Sequence, residues 1–200
     1  MRKVALLASL ALAACGGAEA DARSAAEAAP LASGARPPEG WPAFPLRVEA
    51  ADPLLSVLLE LARAPEPLPL PPTTRTDGSR DAGALDAWVG NVYGPWAELR
   101  AARLARAGEA RRGLMARSDG ERSLGAALHG HLLAVTADAL VRAAGVLEGE
   151  ARAALRAPVA PYADAARGAF EVCYELATAS GPAYDGWRRT CSARIEALPE

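Results

Sequence analysis

Residues 118–147 read SDGERSLGAALHGHLLAVTADALVRAAGVL, and this stretch decides the fold. Ser118 is followed three residues later by Glu121. That is the pattern of a capping box, in which a hydroxyl and a carboxylate each bond the other residue's backbone N–H. Apolar residues then recur at spacings of three and four. Leu128, Leu132, Val135 and Ala139 form one edge of a stripe, and Leu133, Leu140, Ala144 and Leu147 form the other. The period predicts a long helix with a broad buried face, ending near Leu147 where Gly145 and Gly149 weaken it.

The same rhythm extends in both directions. Toward the C-terminus, residues 150–157 fit a short helix, interrupted by Pro158 and Pro161. A longer helix is expected from Pro161 to about Ser180, with Tyr162, Ala166, Phe170, Cys173 and Ala177 on one stripe. The last helix is expected to begin at Pro182, with Tyr184, Trp187, Cys191, Ile195 and Leu198 on its stripe. Toward the N-terminus, Leu85, Trp88, Val89, Val92, Trp96 and Leu99 share a face of a helix running from about Asp81 toward Met115. Pro95 lies inside that stripe and predicts a kink or break at Gly94-Pro95. Asp52 followed by Pro53 reads as an N-cap and first helical residue, opening a very apolar helix over 52–64. Between these helices, residues 65–80 read PEPLPLPPTTRTDGSR and cannot be helix. Their first half is polyproline-like and the rest is turn.

Composition agrees with the period. Hydrophobic residues make up 51% of the chain, enough for a core, but aromatics only 5% and alanine supplies much of the total. Alanine favours closely approaching helices, whereas sheets want β-branched and aromatic residues. No segment alternates with period two. The expected fold is therefore all-α, about five helices over residues 50–200, as an antiparallel bundle or stacked hairpins. The helical hairpins are weakly similar to tetratricopeptide-type repeats. Trp96 and Leu99 match only the first step of that signature, and no clean internal repeat is present.

The first residues carry a different signal. Arg2 and Lys3 form a positive start, Val4 to Leu12 is apolar but too short to span a bilayer, and the run ends in Leu12-Ala13-Ala14-Cys15. This resembles the lipobox of bacterial lipoproteins at every position. The resemblance implies that residues 1–14 are a signal peptide, that Cys15 is acylated, and that the protein meets the membrane through that lipid. It further implies the periplasm-facing cell envelope, and Gly16 in place of an aspartate points to the outer membrane over the inner. An ordinary secretory signal is the alternative, because Ala11-Leu12-Ala13 also suits cleavage. Residues 15–49, small and proline-bearing, read as a disordered tether whose Trp41, Phe44 and Leu46 could dock on the domain.

Lys3 is the only lysine, and removal of Arg2 and Lys3 with the leader takes the formal charge from -2 to -4. Scattered arginines on a mildly acidic chain leave no footprint for nucleic acid. Cys173 stands nine residues before Pro182 and Cys191 nine after it, so an antiparallel hairpin sets them side by side. In an oxidising envelope a structural disulfide follows. Two buried free thiols are the alternative, whereas a redox pair would favour C-x-x-C and a structural metal would want four ligands. His129 and His131 point about 200° apart on a helix and cannot chelate one ion. They are expected to flank the core. No metal site, cofactor or catalytic residue is expected. The hydrolase elbow, the zincin pair, the P-loop and the haem attachment motif are all missing.

Trp88, Tyr93, Trp96, Tyr184 and Trp187 hold most of the aromatic bulk. They are expected to pack the second and last helices together. The sharper reading makes Trp88, Tyr93, Trp96 and Trp187 a binding patch for a partner or glycan. Arg103, Arg106, Arg111 and Arg112, with Glu98 and Glu109, read as a solvated helix face. Function follows only in outline: a non-enzymatic helical interaction or scaffold module in the envelope with a protein partner there, or else a carrier of a small molecule or lipid between helices, and third an enzyme, which would need His129 or His131 beside a carboxylate or hydroxyl in a cleft.

Overall fold

The computed structural model describes residues 52–63, 66–72 and 82–198. Residues 1–14, Cys15 and the whole of the 15–49 tether region, with Trp41, Phe44 and Leu46, lie outside them. The described chain is all-α, with no strand among the described residues. Its helices are α1 (Pro53–Arg63), α2 (Ala82–Trp88), α3 (Gly94–Gly113), α4 (Asp119–Gly145), α5 (Gly149–Arg156), α6 (Val159–Ala179) and α7 (Asp185–Glu196). A π turn, Val89–Tyr93, fuses α2 to α3. Five long rods and the short α5 therefore account for the bundle.

Local chemistry sets the helix starts. Asp52 caps α1, its carboxylate accepting the Leu54 N–H at 2.7 Å. The capping box of α4 is closed on both sides. Glu121 N–H donates to Ser118 Oγ at 3.3 Å, and Ser118 N–H donates to the Glu121 carboxylate at 3.1 Å. α6 begins at Val159, two residues earlier than the prolines suggest. Pro161 sits in the first turn, where an N–H has no intrahelical partner to lose, so the proline starts the helix there and does not interrupt it. Gly181 makes the turn before α7 with φ 86°, a left-handed conformation that glycine adopts at little cost.

The expected kink at Gly94-Pro95 takes another form. Tyr93 and Gly94 stay in right-handed helical conformation, and the Gly94 N–H bonds the Val89 carbonyl five residues back. A proline ring would press on the carbonyl four residues before it and leave that carbonyl without its donor. Widening the preceding turn to the i+5 register absorbs the conflict, as π turns do.

α4 is the axis of the bundle and is buried around most of its circumference. By length and composition it could cross a membrane, yet here α1, α3, α6 and α7 cover it. It packs most extensively on antiparallel α6, where Ala126, Ala127, Ala134, Ala137, Ala166 and Ala169 allow a close approach. A β-carbon on Gly130 would already lie 3.0 Å from the Phe170 ring.

Two apolar clusters divide the core. The larger joins the N-terminal half of α4 to α1, the C-terminal half of α3, α6 and α7. It includes Leu58, Leu114, Leu128, Phe170 and Trp187. The smaller joins the C-terminal half of α4 to α2, the π turn, α5 and the start of α6. It includes Trp88, Tyr93, Trp96, Leu140 and Leu155. Cys173 and Cys191, both fully buried, clasp α6 to α7 as a disulfide with Cα atoms 6.3 Å apart.

Candidate functional site

The feature with most recognition chemistry lies where α2 and α3 meet the proline-rich segment. Glu66, Leu68 and Leu70 each precede a proline, which drives them to extended conformation, and the prolines fix their own φ. Residues 66–72 thus form neither helix nor strand and lie as a strap along α2 and α3. The Trp88 indole Nε1–H donates to the Pro69 carbonyl at 3.1 Å. The Trp96 Nε1–H donates to the Glu66 carbonyl at 3.1 Å, and Arg100 Nη2–H donates to the same oxygen at 2.8 Å. Between the indoles, the Tyr93 ring stacks on Trp88 at 5.7 Å and tilts against Trp96 at 6.2 Å.

The π turn makes this row possible. Residues eight apart on a plain α-helix point about 80° away from one another, but one extra residue in a turn reduces that to about 20°. Trp88 and Trp96 are eight apart with the π turn between them, so their indoles reach the strap from one face.

Arg100 is the least expected member. It is a fully buried charge, 2% exposed, with its guanidinium carbon 5.4 Å from the Trp96 ring centre. Burial lowers its pKa, while the nearby Glu66 opposes that shift. The Glu66 carboxylate itself bonds Arg103 at 2.6 Å. Nε and Nη1 of Arg100 have no hydrogen-bond partner. The buried Tyr93 hydroxyl is raised in pKa by burial, with Tyr162 adding to it.

Searches of protein-family models, curated protein sequences and solved structures find no match. The site must therefore be read on its own geometry.

The structure rearranges the expected aromatic grouping. Trp88, Tyr93 and Trp96 stand together, but Trp187 belongs to the other cluster, beside the disulfide layer. The aromatics do not join the second helix to the last. All four rings are buried, so they do not form an exposed patch, and Trp88 and Trp96 bond the strap instead, with Tyr93 packed between them. The arginine face is only partly solvated. Arg106 and Arg112 are exposed, but Arg103 is turned to Glu66, and Arg111 Nη1 contacts His129 Nδ1 at 3.4 Å.

The histidines lie in separate surroundings. His129 is pushed down to about 4 by burial, with Arg111 and Arg112 adding to it. His131 is pushed down to about 3 by burial, with Arg194 and Arg100 adding to it. Both are neutral at physiological pH. Among the described residues no three His, Cys, Asp or Glu side chains converge to hold a metal.

Sequence reasoning read the proline-rich segment as polyproline-like and non-helical but not its docking along α2 and α3, and it missed the roles of Glu66 and Arg100. A signal existed for each. Prolines at 65, 67, 69 and 71 impose one extended conformation, and Arg100 follows Trp96 by four residues, one helical turn.

Proposed function

We propose that this protein is a lipid-anchored, non-enzymatic interaction module of the bacterial cell envelope, held to a membrane by acyl chains on Cys15. The observation that carries the interaction reading is that Trp88, Trp96 and Arg100 grip an extended segment by its backbone carbonyls, with the Tyr93 ring packed between the two indoles. Peptide-binding grooves combine aromatic surface with indole donors in this way. The lipobox and the long small-residue spacer support the anchored reading, because two or three acyl chains hold a soluble domain stably on a bilayer. The rival reading, a small molecule or lipid between helices, has less behind it. The α4–α6 seam is an alanine contact tightened further at Gly130.

Two measurements test the proposal in the producing cell. The intact mass of the membrane-extracted protein should equal a chain beginning at Cys15 plus acyl groups, and Cys15→Ser should release it from the membrane. A photo-cross-linker in place of the exposed Leu70 should give a discrete adduct that Trp96→Ala abolishes. A chain cleaved elsewhere without lipid refutes the anchor. Absence of any Trp96-dependent adduct refutes the interaction role.

A further inference from the structure

We propose that Trp88, Tyr93, Trp96 and Arg100 form a reader of proline-rich peptide, which residues 66–72 occupy in cis as a built-in competitor for a proline-rich segment of a partner protein. This rests on the interaction-module reading and gives it a ligand class.

The bonds identify that class. Each hydrogen bond from the two indoles and Arg100 ends on a strap carbonyl, Glu66 or Pro69. Those carbonyls are three residues apart. A polyproline helix has three residues per turn, so they lie on one side of it, one turn apart. A reader that bonds carbonyls at this repeat accepts any chain that keeps it, and a proline-rich chain does so with little entropy left to lose. Side chains add selectivity. Leu68 is 6% exposed and Pro71 is buried, while the Glu66 carboxylate is bound by Arg103. The preferred ligand therefore carries an acidic residue, an apolar residue two positions on, and prolines three and five positions on.

The cis strap is an incomplete occupant. A guanidinium has five N–H donors, and the strap takes up one of its nitrogens on Arg100. Nε and Nη1 of that 2%-exposed side chain remain without acceptors. A ligand offering one more carbonyl or carboxylate at this point outcompetes the strap. Because the strap is covalently attached, its high effective concentration keeps weaker segments out.

The experiment uses the full mature chain with its disulfide intact and a fluorescent peptide, Pro-Glu-Pro-Leu-Pro-Leu-Pro-Pro. Fluorescence anisotropy measures its binding. Leu68→Asp loosens the strap and should tighten peptide binding at least tenfold over the unaltered chain. Adding Trp96→Phe or Arg103→Glu should reverse the gain, and a peptide with arginine in place of its glutamate should recover binding to the Arg103→Glu protein. Equal weak binding with and without Leu68→Asp, or equal binding of a scrambled peptide, overturns the proposal. Should Leu68→Asp lose helical structure, the unaltered chain decides. Millimolar peptide should shift the indole N–H resonances of Trp88 and Trp96 and leave Trp187 in place, and unmoved resonances overturn the proposal. If no peptide binds but the Leu70 adduct persists and still needs Trp96, the polyproline ligand class falls alone. If both are absent, the interaction module falls with it.

Discussion

The Asp52 carboxylate ties together two points 65 residues apart: while one oxygen caps α1 at Leu54, the other accepts the Arg117 Nε–H at 2.7 Å. Asp52 is nearly buried and Arg117 half exposed. The cap should therefore outweigh the ion pair. Asp52→Ala is expected to cost about 2 kcal/mol, combining a lost cap with a lost charge-assisted bond. Arg117→Ala should cost under about 1 kcal/mol, as half-exposed pairs do. Asp52→Asn should fall between. Urea unfolding midpoints rank the three, and equal losses for Asp52→Ala and Arg117→Ala would contradict the cap's precedence.

The α6–α7 clasp closes a loop of sequence separation 18. Replacing both Cys173 and Cys191 with alanine should lower stability by about 3 kcal/mol in the chain-entropy model, and somewhat more if small cavities remain. In thermal melts that is a fall of about 10 °C for a domain of this size. Because both sulfurs are fully buried, reductant should act on the folded protein only through unfolding. Thiol release faster than global unfolding would show otherwise.

Acid should destabilise the fold through its histidines. In the native state His129 titrates near 4 and His131 near 3, both below the usual 6.5. The unfolded chain therefore binds more protons between those limits. Stability is fully present above about pH 6.5 and falls as pH drops toward 4, by up to about 1.4 kcal/mol per pH unit for each histidine. Asp138, raised by burial, acts in the opposite sense. Comparing urea curves at pH 7 and 4.5 for the parent and for His131→Gln tests it. The variant should lose about 2–3 kcal/mol less over that interval, and an identical loss would exclude His131 as a source.

Gly120 lies under the Tyr184 ring, and a β-carbon there would overlap the phenol. Gly120→Ala should cost about 1–3 kcal/mol by forcing the turn before α7 outward. With Tyr184→Ala also present, the glycine substitution should become nearly neutral. A double-mutant cycle by chemical denaturation gives the coupling directly, and additive effects would deny the contact.

What could be read without coordinates followed from local rules. Ser118 and Glu121 announce their helix because the cap needs only four residues of context. The spacing of Cys173 and Cys191 about Pro182 makes their meeting a matter of hairpin symmetry. Asp52 shows its cap for the same local reason, but not its bond to Arg117, which depends on where α3 turns. The shared face of Trp88 and Trp96 and their grouping with Tyr93 were legible in the spacing, but their burial beneath the strap and the separation of Trp187 were not, because both depend on contacts between segments far apart in the chain. Arg100 was hidden because charge usually means surface, and its burial is offset by the Glu66 carbonyl, the Trp96 ring and the nearby Glu66 charge.

The disulfide has a mechanical consequence. A pull on the chain from its N-terminal side loads the Asp52 latch, then the buried leucines of α1, then the strap, all of them held by non-covalent contacts. The far end is bound by a covalent link between Cys173 and Cys191. Load therefore strips the molecule from α1 inward, and the loop between the cysteines keeps about 60 Å of extended chain out of any stretching. The bundle is a graded tether, non-covalently held at its leading end and inextensible around its last two helices.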